Sequence, residues 1–176
     1  RLLDGAFDDV LAHVVPEQRE EAAGYITAAL GGHEESAGKL AYLVLLHAQG
    51  ASAALWLDTA LASIVTHRDA SSVASCVAFT DLLARLLRLE AMPTAEWITS
   101  TFLGTVRQVC TEERYSARGG RFHDWHGTFP DCLAAVLGEA LQHGWDTRTA
   151  CAAWHSGAYL LETVPSVLWI LANHAH

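Results

Sequence analysis

The stretch HSGAYLLETVPSVLWILANHAH, residues 155–176, closes the chain, and its apolar side chains recur at helical spacing. Pro165 stands in the middle of this run, and Glu162 lies about one helical turn before it. A helix that is apolar on nearly all sides belongs inside a core rather than at its surface. The stretch therefore predicts a central helix around which other helices pack.

The rest of the chain carries the same helical periodicity rather than the alternation of strands. Glycines, prolines and helix-capping residues separate its segments. One long irregular stretch, TEERYSARGGRFHDWHGTF at residues 111–129, interrupts the pattern. Loops of this length inside compact domains are usually functional or mobile. We predict an all-α protein with a single domain over residues 1–176 and about eight or nine helices.

Composition and charge exclude several function classes. The 176 residues carry a formal net charge of −9 and no block of Lys and Arg, which argues against a nucleic-acid partner and against a polybasic membrane patch. No apolar run approaches the roughly 20 residues of a membrane span, and no signal peptide pattern opens the chain. We expect a cytoplasmic protein without a membrane partner.

Four cysteines lie far apart and form no CxxC motif. A zinc knuckle or a thioredoxin-like redox motif is therefore not supported. Reduced thiols that pack as small buried side chains fit the pattern best. The four residues are Cys76, Cys110, Cys132 and Cys151.

The segment THRDASS, Thr66 to Ser72, precedes a long Ala-rich helix. The free N–H groups and positive dipole of a helix N-terminus can hold an anion, and His67 could donate to a phosphate or ribose oxygen beside it. The alternative is a simple helix cap at Asp69 or Ser71, with His67 satisfied in the turn. His67 and Asp69 are thus candidate ligand-binding residues.

The segment SGAYLLETVP gives a second candidate. Ser156 and Gly157 permit a helix to start or bend near Tyr159, and Pro165 frees a backbone carbonyl in the following helix. That carbonyl and Glu162 could line a pocket, and Ser156, Gly157 and Tyr159 are candidate substrate-binding residues. The alternative is a kinked core helix in which Glu162 lies in a solvent-facing first turn.

Two weaker patterns could bind metals. In HDWH, His123 and His126 lie three residues apart, but a metal site needs three or four converging ligands. In FDDV, Asp8 and Asp9 are adjacent carboxylates of the kind that hard divalent cations favour. Their helix has an apolar opposite face, so a solvated surface explains the pair more simply.

Three stretches together resemble the ADP-ribosylglycohydrolase family, which includes the dinitrogenase-reductase-activating glycohydrolases. They are LWLDTALASIVTHRDASSVASCVAF, RYSARGGRFHDWHGTFPDCL and ACAAWHSGAYLLETVPSVLWILANHAH, and the likeness runs from about Ala54 to His176. The resemblance implies a compact, orthogonal all-α domain. It also implies hydrolysis of the bond between ADP-ribose and an arginine or serine acceptor by a pair of magnesium or manganese ions.

The resemblance implies specific substrate-binding residues. His67 stands where the family has a substrate-contacting histidine, with Asp69 beside it. SAGKLAY, residues 36–42, corresponds to the family's Ser-Asn-Gly-Ala-Leu-Met-Arg loop and retains Ser36 and Gly38. Ala37 and Tyr42 replace the asparagine and the arginine of that loop.

The metal motifs of the family are not found in residues 1–176. FDDV lacks the flanking threonines of Thr-Asp-Asp-Thr, and the Asp-x-Asp-Thr motif would follow His176. We therefore expect a truncated domain with ADP-ribose or an ADP-ribosylated acceptor as its ligand. Mg²⁺ is implied for the intact family, but no catalytic or metal-binding residue is predicted in this chain alone. A degenerate, non-catalytic binder of ADP-ribose and a helical interaction module remain the alternatives.

Overall fold

Helices account for nearly all the regular structure of the residues that the structure describes. The computed structural model describes residues 52–67, 69–111, 114–117, 119–155 and 159–174. Within these residues it contains six helices: α1 Ser52–Ile64, α2 Ala70–Leu86, α3 Ala95–Val109, α4 Phe129–His143, α5 Thr147–Trp154 and α6 Leu160–His174. The same residues form no strand, only an isolated bridge between Tyr115 and Gly127. The prediction of an all-α fold is confirmed.

Four helices begin where the sequence supplies a capping side chain. Asp69, Thr94, Thr128 and Asp146 precede α2, α3, α4 and α5, and each accepts the backbone N–H three residues ahead. Such a cap contributes about 1 kcal/mol to helix stability. At the other end of α4, Gly144 adopts the left-handed conformation, with φ of 57°, which terminates that helix.

Helices α1, α2 and α3 pack as consecutive antiparallel neighbours around buried polar contacts. Asp81 on α2 accepts the indole N–H of Trp56 on α1 at 3.0 Å and the hydroxyl of Thr105 on α3 at 2.9 Å. The hydroxyls of Thr59 and Thr80 lie 3.1 Å apart between α1 and α2. Because Asp81 is 2% exposed, its hydrogen bonds replace those it loses to water.

Helix α6 lies in the core, where it contacts α3, α4 and α5. Leu161 and Leu168 are buried, and Trp169 donates its indole N–H to the carbonyl oxygen of Trp145 at 3.2 Å. The ring of Trp169 also meets that of Trp154 on α5 edge to face, with centroids 6.0 Å apart. Other helices pack on α6 as predicted, but Val167 and Ile170 on one side of it stay exposed in the described part of the chain. The helix continues through Pro165.

Several predictions concern residues that the structure does not describe. Ser36, Gly38, Asp8 and Asp9 lie outside the described residues, as do Ser156 and Gly157.

No helix in the described part of the chain is both long and apolar enough to cross a membrane.

Candidate functional site

Tyr159 and Glu162 stand at the start of helix α6. The carbonyl oxygen of Tyr159 accepts the N–H groups of Glu162 and Thr163 at 2.9 Å each, so Tyr159 occupies the cap position. Glu162 is then the third residue of the helix. The positive end of the helix dipole stabilises an acid there, and in a capping box that acid bonds back to the cap residue. Glu162 instead directs one carboxylate oxygen to a distant part of the chain.

That distant partner is the backbone of Arg121. Oε1 of Glu162 accepts the Arg121 N–H at 2.7 Å, across 41 residues of sequence. Only 3% of Glu162 is exposed. The interpretation that places Glu162 in a solvent-facing first turn is therefore wrong, because the irregular stretch covers the start of α6 and removes the carboxylate from water. The hydrogen bond offsets part of the cost of that burial.

Two glycines make this close approach possible. We call residues 114–127 the glycine loop; Arg118 within it lies outside the described residues. A β-carbon on Gly119 would lie 2.6 Å from the hydroxyl oxygen of Tyr159, and one on Gly120 would collide with Oε1 of Glu162. Gly120 also has a φ of +80°, which residues with a β-carbon rarely adopt. The Tyr159 ring thus lies directly on the loop backbone, while 46% of the residue stays exposed.

The glycine loop is anchored at its two ends. Tyr115 donates its backbone N–H to the carbonyl oxygen of Gly127 at 2.8 Å, and its ring packs on Phe129 with centroids 5.2 Å apart. Trp125 donates its indole N–H to the carbonyl oxygen of Thr128 at 3.3 Å. These contacts join the ends of the loop to the start of α4, while its middle contacts the start of α6.

The histidines of HDWH lie on the outer side of the loop. Nδ1 of His123 is 3.0 Å from the carbonyl oxygen of Gly120, and its Nε2 is 3.0 Å from a carboxylate oxygen of Asp124. His123, Asp124 and His126 are all exposed. Among the described residues, no three His, Cys, Asp or Glu side chains converge as a metal site would require.

The His67–Asp69 junction connects α1 to α2. Asp69 is the cap of α2, and its Oδ1 accepts the Ser72 N–H at 2.7 Å. The exposed His67 ring places Nδ1 2.8 Å from the hydroxyl of Thr66. The His67 backbone N–H bonds to the carbonyl oxygen of Ser63 at 2.8 Å. One N–H of the helix start is therefore already engaged by Asp69, and an anion would use the others.

Two contacts and the intervening chain connect the junction to the glycine loop. Ser71, at the start of α2, has its hydroxyl oxygen 4.0 Å from Sγ of Cys110, which follows α3. The chain then passes from Cys110 into the glycine loop, which docks on Glu162 at the start of α6. The starts of α2 and α6 are thus linked through the end of α3.

Sequence reasoning identified Tyr159 and Glu162 as candidates but did not find their partners. Gly119, Gly120 and Arg121 complete the contact. Two patterns could have suggested them: adjacent glycines inside a long irregular stretch, and an acid at the third position of an apolar helix.

The described part of the chain also has a shallow groove elsewhere. It has a volume of about 600 Å³ and lies between the start of α5 and the end of α6, lined by Asp146, Thr147, Arg148, Cys151 and Asn173. None of these five residues is a predicted site residue. The groove therefore adds nothing to the candidate site.

Two thiols are poorly suited to nucleophilic chemistry. Burial raises the pKa of Cys132 to about 12, and burial is also the main cause of the raised pKa of Cys76. Since the thiolate is the nucleophile, both side chains serve as packing groups near neutral pH.

No family model, curated protein or solved structure matches the chain.

Proposed function

We propose that this chain belongs to the ADP-ribosylglycohydrolase family and that, in its intact form, it hydrolyses ADP-ribose from a modified acceptor. In that reaction the bond between the anomeric carbon of the ribose and the acceptor breaks. Water supplies the hydroxyl that ends on the anomeric carbon and the proton that leaves with the acceptor.

One observation carries the proposal: the second and third of the resembling stretches meet directly, where Arg121 donates its backbone N–H to Glu162. The start of α2 lies against Cys110 through Ser71, and the glycine loop that follows contacts Glu162 on α6. These two contacts favour a ligand site that draws on the starts of α2 and α6.

Within that site we assign binding and orientation to the described residues. His67 offers an exposed imidazole beside the start of α2, where backbone N–H groups suit a pyrophosphate. Tyr159 offers an exposed aromatic face on which a base can stack.

The two magnesium ions that the family resemblance implies would polarise substrate oxygens and orient the water. The described residues hold no group of three ligands that fits such an ion. We therefore assign no step of metal chemistry to them.

The proposal is tested with the protein expressed from the complete reading frame that contains these residues. It is incubated with arginine- and serine-ADP-ribosylated protein, with Mg²⁺ or with a chelator, and released ADP-ribose is measured by mass spectrometry. We expect magnesium-dependent release from at least one acceptor. Absence of release from both, together with absence of ADP-ribose binding, would contradict the proposal.

The second candidate is a degenerate family member that binds ADP-ribose or a nucleotide without cleaving it. Sequence favours it at two points, since FDDV lacks the flanking threonines and Ala37 replaces the family's asparagine. Calorimetric binding of ADP-ribose without any release from either acceptor would identify this candidate. Binding of neither would leave a helical interaction module.

A further inference from the structure

We infer that Glu162 is a positioning residue: by holding the backbone of Arg121, it fixes the glycine loop on α6 and sets the exposed face of Tyr159 for the base of ADP-ribose. This inference rests on the proposed function for its ligand. We call the hydrogen bond between Glu162 and the backbone N–H of Arg121 the clamp. The clamp does not depend on which ligand binds. Three features of the contact support it.

The first feature is the burial of Glu162. A carboxylate at the start of a helix is already stabilised by the dipole when it faces water, so helix stability gives no reason to bury it. Yet Glu162 is 3% exposed and reaches a backbone N–H 41 residues earlier in the chain, at 2.7 Å. A charged acceptor makes this a strong hydrogen bond. The carboxylate therefore holds the loop in place.

The second feature is the fit of the glycine pair. Gly120 approaches Oε1 of Glu162 so closely that a β-carbon would collide with it, and Gly119 does the same with the Tyr159 hydroxyl. The φ of Gly120 already favours glycine there, whereas Gly119 is required by the contact alone, and both residues face a side chain at the start of α6. The loop and the helix are thus shaped to each other.

The third feature is that the Tyr159 ring is both supported by the loop and exposed. Its ring is supported on one side by the loop backbone, yet 46% of the residue remains exposed. A ring held in this way loses less side-chain freedom when a ligand binds, and this raises affinity. Aromatic rings stack on nucleobases through their faces. Releasing the loop would free the ring and weaken the binding of the base.

The clamp can be measured by limited proteolysis of the full chain with trypsin. Arg121 is exposed and its N–H is the group that Glu162 holds, so cleavage after Arg121 requires the loop to open. The rate of this cleavage reports local opening. Urea unfolding of the same variants reports global stability separately.

The variants separate the hydrogen bond from mere packing. Glu162→Met keeps the length of the side chain but removes the acceptor, whereas Glu162→Gln keeps a carbonyl acceptor. Gly120→Ala attacks the same contact from the loop. Gly138→Ala is the matched control, because a β-carbon there meets nothing within 4 Å.

We expect Glu162→Met and Gly120→Ala to speed cleavage after Arg121 by about tenfold or more, the scale of one lost hydrogen bond to a charged group. Glu162→Gln should stay within about threefold of the wild type, and Gly138→Ala should not differ from it. If Glu162→Met does not fold, Gly120→Ala is compared with Gly119→Ala, because the positive φ of Gly120 adds a backbone strain that Gly119 does not have. Cleavage of Gly120→Ala at the wild-type rate would overturn the clamp.

Calorimetry with ADP-ribose then tests the positioning role. We expect Glu162→Met to weaken binding and Glu162→Gln to restore most of it, with Gly138→Ala unchanged. Equal affinity of the wild type and Glu162→Met would overturn the positioning role. If the wild type itself binds no ADP-ribose, the proposed function and the ligand role fail together, while the cleavage rates still decide the clamp.

Discussion

The hydroxyl oxygen of Ser71 lies 4.0 Å from Sγ of Cys110, and this contact places the start of α2 beside the end of α3. The glycine loop leaves α3 at this point and docks on Glu162 at the start of α6. The His67–Asp69 junction is thereby connected to Tyr159 through the end of α3 and the glycine loop.

We predict that Asp81→Ala destabilises the protein by about 3 kcal/mol, because buried donors lose a charged acceptor. Asp81 accepts hydrogen bonds from Trp56, Thr105 and Arg85, which belong to α1, α3 and α2. Urea unfolding followed by circular dichroism measures the change. Glu139→Ala, at an exposed position on α4, is the control and should change stability by less than about 0.5 kcal/mol. Equal losses in both variants would show that Asp81 does not connect the three helices.

The helices could be predicted from the sequence because capping residues and apolar spacing act over short stretches of the chain. Asp69 and Thr94 cap the helices that follow them, and apolar spacing fixes the faces that pack. The packing of other helices on the closing helix was expected from its apolar composition alone. The segment Thr66 to Ser72 was expected to precede α2, but the cap at Asp69 starts this helix at Ala70, inside that segment.

The contact between Glu162 and Arg121 could not be predicted, because its two partners lie 41 residues apart. Periodicity indicated only that Glu162 lies in the first turn of an apolar helix, where a solvent-facing carboxylate is the ordinary arrangement. The glycine loop buries the Glu162 carboxylate, and this loop can lie on α6 because Gly119 and Gly120 allow a close contact with Tyr159. Local sequence rules do not predict such a long-range contact.

We predict that Gly104→Ala and Gly138→Ala each stabilise the protein by about 0.5–1 kcal/mol. Both glycines lie inside helices, α3 and α4, and a β-carbon at either meets nothing within 4 Å. Alanine reduces the entropy of the unfolded chain and is favoured in a helix. Thermal unfolding should show a higher midpoint for each variant. A lower midpoint for either would mean that its helix is packed more tightly at that position than the structure shows.

Thiol labelling should distinguish Cys132 from the ordinary thiols of an unfolded chain. With the pKa raised to about 12 by burial, little thiolate forms at pH 8, so we predict slow reaction with a disulfide reagent until the protein unfolds. Peptide mapping by mass spectrometry after timed quenching measures this rate.

The same raised pKa has a consequence for stability. Below pH 9 the thiol of Cys132 is protonated in both the folded and the unfolded chain. Between pH 9 and about 12 the unfolded chain loses this proton first, so this contribution to stability falls as pH rises.

Labelling of Cys132 in native protein as fast as in denatured protein would contradict its burial.

We predict that a polypeptide of residues 1–176 alone releases no ADP-ribose from modified protein in the presence of Mg²⁺. These residues contain neither Thr-Asp-Asp-Thr nor Asp-x-Asp-Thr, and two-metal chemistry needs several converging carboxylates. Mass spectrometry of the supernatant measures release, with a chelated sample as the control. Release above that control would show that other carboxylates of these residues suffice.

The most direct test of the account is the affinity of the chain for ADP-ribose, measured by calorimetry on the wild type, His67→Ala and His123→Ala. Both histidines are exposed, so neither change should disturb the core, but only His67 lies beside the start of α2. We expect His67→Ala to weaken binding by about 1–2 kcal/mol, the scale of one hydrogen bond to a charged group, and His123→Ala to bind nearly as well as the wild type. Equal losses from both variants, or no loss from His67→Ala, would contradict it.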